Sequence, residues 1–243
     1  MIFFGPFNAP KGIALIAPFV WLLLAAPAFA QSSCSSDGQR PPEAIVERFI
    51  NADCADCWSA PGTRKPKKGE LAVDWIVAGN KGDEAPLGAA ATRDALQRLQ
   101  ALQQAPPATT FNFRAPAFLK TRPRNSADAR LRVARGIALG GYLGASIELK
   151  LPGKWLAKRP PFQFPLSAWL LLAEEIAPGI EGSPVARLLV RNSLVATWKT
   201  GQRHFESRPM SLPEGSNPDR LRVVGWVQDA RGNVIARAVS VCS

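Results

Sequence analysis

Four cysteines constrain this chain more than any other feature. Cys54 and Cys57 enclose Ala-Asp in a C-x-x-C motif, while Cys34 and Cys242 lie towards opposite ends of the sequence. Their meaning depends on the compartment, and the first thirty residues indicate it. Lys11 is the only charge there; an apolar run from Gly12 to Leu24 follows, broken by Pro18. Ala28-Phe29-Ala30 then offers small residues at the −3 and −1 positions of a signal-peptidase site. The run is shorter than the ~20 apolar residues of a membrane span and lacks a basic stop-transfer flank. Gln31 stands where a lipobox would need Leu, which argues against a lipid on Cys34. Residues 1–30 are therefore expected to be a signal peptide cleaved after Ala30, with 31–243 periplasmic or secreted. Cysteines pair in such a compartment. Of the three connectivities open to four cysteines, Cys54–Cys57 with Cys34–Cys242 is expected: C-x-x-C neighbours close readily, and the other two then staple the ends. Intermolecular pairing and a zinc site are the competing readings.

Composition narrows the chemistry. The chain holds one His and one Tyr, so a two-His zinc site or a bis-His haem cannot be built within it. A Ser-His-Asp triad would have to use His204, which has no serine elbow or carboxylate at informative spacing and reads as a surface residue. No metal and no cofactor is called for. Thirty basic against nineteen acidic residues give a net charge of +11. Basic clusters at 64–68, 120–124 and 154–159 read either as an anionic-envelope contact or as a solvated face. No helix-turn-helix, RNP element or zinc finger is present, so no nucleic-acid partner is expected. The chain is expected to be monomeric.

Along the sequence, 31–43 is a polar, extended lead-in. Ala44–Ile50 reads as a strand, Trp58–Glu70 as a basic loop and Leu71–Ala78 as a second strand. From Pro86 to Gln104 the spacing of Ala91, Ala95, Leu99 and Leu102 is helical, and Pro106-Pro107 stop it. Arg114–Lys120 makes one more short strand. Past a polar boundary at 121–128, strands are expected at 129–136, 140–151, 168–176, 184–198, 219–228 and 233–242, the last two joined by a hairpin at Asp229–Gly232. The expected fold is α/β plus all-β: an α/β domain over 44–122, then an antiparallel β-sandwich-like domain over 129–243. Trp75, Trp169 and Trp226 belong to apolar strands and a core. Trp58 and Trp155, in loops beside basic residues, read as exposed contacts, and Glu174-Glu175 as a solvated strand edge.

Three segments, Val46–Cys57, Val73-Asp-Trp75 and Val224–Asp229, resemble a bacterial family of exported thioredoxin-like proteins, in which a thioredoxin-fold domain precedes a small β domain. The resemblance spans Ala44 to Val241. It implies that Cys54 is the attacking thiol and Cys57 the resolving thiol of a redox pair. It also implies that Pro116 is a cis-proline packed against them. Asp74 reads as a buried proton acceptor or as a structural acid at a strand end. The chain departs from the family at Trp58–Gly62, which replaces two prolines and a long helix, and at Arg191, which replaces a His. Pro61-Gly62 leave about one helical turn after Cys57, so a helix terminus does little to stabilise a thiolate. Asp53 and Asp56 oppose it, and the basic side chains of 64–68 offset this weakly. Two functions follow as expectations. One is thiol–disulfide exchange with an unidentified protein partner; the other is a non-enzymatic envelope module in which Cys54–Cys57 is structural.

Overall fold

The computed structural model describes residues 1, 34–115, 129–153, 155 and 162–242. The apolar runs of this sequence become strands, and most of them meet in one sheet. The elements are β1 (Cys34–Ser35), β2 (Ala44–Asn51), α1 (Ala55–Ser59), β3 (Glu70–Val77), α2 (Arg93–Ala101), β4 (Thr110–Arg114), β5 (Arg130–Leu139) and β6 (Tyr142–Lys150), followed by β7 (Leu166–Ile176), β8 (Arg187–Trp198), β9 (Phe205–Ser211), β10 (Leu221–Gln228), β11 (Val234–Val239) and β12 (Val241–Cys242). A seven-stranded sheet runs β11-β10-β7-β8-β3-β2-β4, and a five-stranded sheet runs β12-β1-β5-β6-β9. β2 is parallel to β3 and β3 to β8; the other pairings are antiparallel.

Both faces of the large sheet are covered, which explains why β7 reads as a nearly unbroken apolar run. Ala168, Leu170 and Leu172 of β7 pack with Val133, Ile147 and Leu149 of the small sheet. The alternate residues Trp169, Leu171 and Ala173 share the opposite core with Ala95 and Leu99 of α2. Gly225 on β10 lets the sheets close, because a Cβ there would lie 2.6 Å from Val133 Cγ1 and 3.1 Å from Ile147 Cδ1. A third apolar cluster, Ile50, Ile76, Ile176 and Leu189, is covered by Trp58 from α1.

The expected pairing of a thioredoxin-like α/β domain over 44–122 with an antiparallel sandwich over 129–243 is overturned. The described residues are mostly strand, with two α-helices of five and nine residues. β2, β3 and β4 do not form a sheet of their own. Asp74 on β3 pairs with Leu189 on β8, so the early strands extend the sheet built by β7, β10 and β11. The larger sheet therefore mixes strands from both expected domains, joined by a parallel pairing of β3 with β8. The physical reason is the free edge of β3, whose backbone groups need partners; periodicity shows that a strand exists but not what pairs with it.

Smaller differences have local causes. The helix expected over 86–104 narrows to α2, which Thr92 caps by accepting from the Ala95 N–H at 3.2 Å. Ahead of it, 82–84 and 88–90 form 3₁₀ turns. β9 was not expected, because Pro209 interrupts it; at the sheet edge Pro209 removes no needed donor. Trp58 is buried under its own helix rather than exposed. Glu174 is fully buried, bonded to Arg191 at 2.8 Å and Arg220 at 2.8 Å, whereas Glu175 is the exposed member of the pair. His204 is also buried, stacked near Phe164 and Trp198 with centroids 5.8 and 5.5 Å away.

Candidate functional site: the cysteine pair and its charged support

The chain leaves β2 through an Asx turn. Asn51 Oδ1 accepts from the Asp53 N–H at 2.8 Å, and the Cys54 N–H donates to the Asn51 carbonyl at 3.0 Å. Cys54 is thereby placed at the N-cap of α1, disulfide-bonded to Cys57. Both cysteines are partly exposed. Cys57 packs on the apolar cluster of Ile50, Trp58 and Ile76, of which Cys54 is not a member.

Asp53 is drawn away from the thiols. Its carboxylate accepts from the N–H groups of Asn80 at 2.7 Å and Lys81 at 3.2 Å. Gly79 makes room for it, since a Cβ there would collide with the Asp53 carboxyl. Asp56 stays exposed in the first turn of α1.

Beneath α1 lies a buried charge cluster. Arg48 on β2 sits opposite Asp74 on β3, and its Nη2 reaches Asp74 Oδ2 at 2.5 Å. Arg187, which opens β8, donates from Nη1 to Asp74 Oδ1 at 3.0 Å. Both carboxylate oxygens of Asp74 are committed to guanidinium groups, the arrangement of a structural counter-ion. Arg187 also donates from Nε to Ser183 Oγ at 2.7 Å and from Nη2 to the Trp58 carbonyl at 2.6 Å, with the Cys57 carbonyl 3.5 Å away. Its guanidinium lies 4.4 Å from the Trp58 ring centroid. It thus satisfies carbonyls that the end of a short helix leaves without partners. Burial pushes the Arg187 pKa below the usual arginine value, the charge of Asp74 works against that, and Arg48 adds to it. Two guanidiniums against one carboxylate leave an excess positive charge buried beside the C-x-x-C turn.

The other face of β2 holds a second cluster. Glu47 accepts from Arg98 Nε at 2.8 Å and Nη2 at 2.7 Å, and from Trp75 Nε1 at 3.1 Å. Arg98 Nη1 donates to Gln228 Oε1 at 3.1 Å, and the guanidinium lies 4.5 and 5.0 Å from the ring centroids of Trp169 and Trp226. In a flat sheet β2 and β10, four strands apart, would be about 19 Å from each other. Coiling of the sheet around α2 lets one guanidinium bridge them.

Sequence reasoning missed Arg48, Arg98 and Arg187. A signal for the first was present: Glu47-Arg48 and Asp74 each interrupt an apolar strand, and opposite charges in neighbouring strands imply pairing. Arg98 and Arg187 carried no comparable signal. Cys34–Cys242, expected from the sequence, is present in the small sheet, where the two residues face each other across β1 and β12 and Cys34 is fully buried. Pro116, residues 2–30 of the expected signal peptide and the basic cluster at 120–124 lie outside the described residues, as does most of 154–159. In the 64–68 cluster, Arg64 pairs with Glu70 at 3.2 Å. A cleft of about 300 Å³ opens beside Trp58, with Ile76, Leu87, Leu189, Glu181 and Arg191 in its wall. Among the described residues no group of three or more His, Cys, Asp or Glu side chains is placed to hold a metal ion.

Compared with protein-family models and with curated proteins, the chain matches none. Among solved structures it is similar to a crystallographically determined protein from Agrobacterium tumefaciens, at 10% identity, over 83% of this chain and 95% of that one, with a TM-score of 0.42. A likeness that loose supports neither a fold assignment nor a function.

Proposed function

We propose that this chain exchanges disulfides with protein thiols through Cys54 and Cys57 in the oxidising compartment to which residues 1–30 direct it. One observation carries the reading: of its two disulfides, Cys34–Cys242 is shut inside a sheet at Cys34, whereas Cys54–Cys57 is partly exposed on both sides. Exchange requires a thiolate to reach a disulfide sulfur, and the second bond presents two partly exposed cysteines where the first presents only Cys242. A substrate thiolate attacks Cys54 Sγ, the Cys54–Cys57 bond breaks, and Cys57 leaves as a thiolate. A second substrate thiolate then displaces Cys54, leaving substrate disulfide and protein dithiol. The excess charge of Arg48 and Arg187 favours the Cys57 thiolate as leaving group. The cleft beside Trp58 offers a partner an apolar foothold near the reacting sulfurs.

The test is reaction of the native protein with reduced glutathione, followed by mass mapping under non-reducing conditions. With the native protein Cys54–Cys57 opens first; with Cys57→Ser, treated instead with oxidised glutathione, the Cys54 thiolate displaces one glutathione thiolate and a mixed disulfide accumulates on Cys54. Exchange that reaches neither cysteine of this pair while the protein stays folded overturns the reading. The brevity of α1 favours a second reading, because a five-residue helix activates a thiol weakly. In that reading the chain is a non-enzymatic envelope module and Cys54–Cys57 only pins α1. Full function of a Cys54→Ser/Cys57→Ser variant in cells lacking the native protein would decide for it.

A further inference from the structure

A cavity of about 630 Å³ lies between the lead-in that follows β1, the start of β5, the end of β6 and the edge strand β11. Its charged lining among the described residues is Arg40, Arg130, Arg132, Lys150 and Arg237 against Asp37. Asp37 is already committed: Arg132 grips it through Nε at 2.9 Å and Nη2 at 2.7 Å. That grip, the largest influence on it, holds the Asp37 carboxyl below its usual pKa. Lys150 is only loosely paired, 3.9 Å from Glu148. Arg40, Arg130 and Arg237 have no carboxylate partner among the described residues.

Arg237 is the unusual member. Its Nε and Nη2 are closed off from solvent and find no acceptor among the described residues. Such donors cost free energy unless something accepts from them. Burial, and secondarily the charge of Arg114, push its pKa below the ordinary arginine value. The walls are fixed: Cys34–Cys242 ties the root of the lead-in to the strand that follows β11, and Ser36 bonds Val133 through both its N–H and its hydroxyl.

From this geometry we infer that the cavity is a binding site for a small phosphate-bearing ligand. Three arginines without a carboxylate partner and one loosely paired lysine call for a multivalent anion, and guanidinium forks match the paired oxygens of a phosphate. The volume falls in the range of about 300–1,000 Å³ typical of organic-ligand sites, well beyond what an inorganic ion fills. The phosphate could be that of a soluble ester or that of a lipid headgroup, and two assays separate these sources. The site is independent of the cysteine chemistry.

The experiment is calorimetric titration of the oxidised protein with pyrophosphate, alongside co-sedimentation with vesicles of phosphatidylglycerol or phosphatidylcholine. Arg130→Gln/Arg237→Gln should weaken binding by about tenfold or more, while Lys81→Gln, on the exposed loop that follows the opposite end of β3, should change it by less than about twofold. Because Arg237 is half-buried, Arg130→Gln/Lys150→Gln, both exposed, supplies a variant that keeps the fold. Site-dependent pyrophosphate binding identifies a soluble ligand. Site-dependent binding confined to phosphatidylglycerol vesicles identifies a lipid phosphate. Absence of saturable binding in both assays, or equal loss in the loop variant, overturns the inference.

Discussion

Replacing Arg98 by Met tests the claim that buried charge, and not only apolar contact, joins the early strands to the rest of the sheet. Glu47 is 0% exposed and Arg98 1%. The substitution strands a carboxylate in an apolar core and removes the donor to Gln228. Breaking a buried pair in this way costs about 3–5 kcal/mol. For a chain of this size, at about 2–4 °C per kcal/mol, the melting temperature should fall by roughly 6–20 °C. Glu47→Gln/Arg98→Met removes both charges and should recover most of that loss, because replacing both partners is often close to neutral. Urea unfolding of the wild type, both single variants and the double variant gives the coupling energy directly. A loss below about 1 kcal/mol for Arg98→Met, or a coupling energy near zero, would refute the reasoning, since values that small belong to exposed pairs.

Two further outcomes follow from the structure. Cys34→Ser/Cys242→Ser opens a loop closed over 208 residues, and the chain-entropy argument puts the loss at up to about 5 kcal/mol; non-reducing urea curves measure it, and a loss below about 1 kcal/mol would mean that β1 and β12 hold without the bond. Burial pushes the pKa of His204 below 6.5, so the unfolded chain takes up its proton first as pH falls. Stability should therefore drop as pH goes below about 6.5 and level off once the folded pKa is passed, at no more than about 1.4 kcal/mol per pH unit. Thermal unfolding from pH 7.5 to 5 shows this drop, and His204→Phe should flatten it; an unchanged slope in that variant would place the responsible group elsewhere.

Strands were legible in this sequence wherever both faces are buried, because β7 and β10 announce themselves as long apolar runs. Their pairing was not. The Asp74–Leu189 contact joins residues far apart in sequence, and nothing local to either strand encodes it. The disulfides were legible because four cysteines leave few options once export is assumed. The site was half legible: C-x-x-C marks the sulfurs, but the side chain that supports α1 from below arrives from the start of β8. His204 misled for a related reason. Its neighbours in sequence, Arg203 and Phe205, are exposed, and the aromatic clamp of Phe164 and Trp198 is assembled only by the fold.

Glu47 and Arg48 are adjacent, so on a strand they point to opposite faces, and each finds its counter-charge on a different element. Glu47 engages Arg98 from α2, which bridges to Gln228 on β10. Arg48 shares Asp74 with Arg187 from β8. Pulling β2 and β3 away from the later strands would leave Asp74 without Arg187, and Arg98 without Gln228 and its two indoles. The early strands are thus bound to the rest by charges that water alone could otherwise satisfy. The same bond reaches the sulfurs, because the guanidinium that meets Asp74 also holds the carbonyl of Trp58 at the end of α1. Whatever chemistry Cys54 and Cys57 perform, the turn that carries them is positioned by a residue 130 places further along the chain from Cys57, and a change at Arg187 should be felt at the sulfurs even though it touches neither.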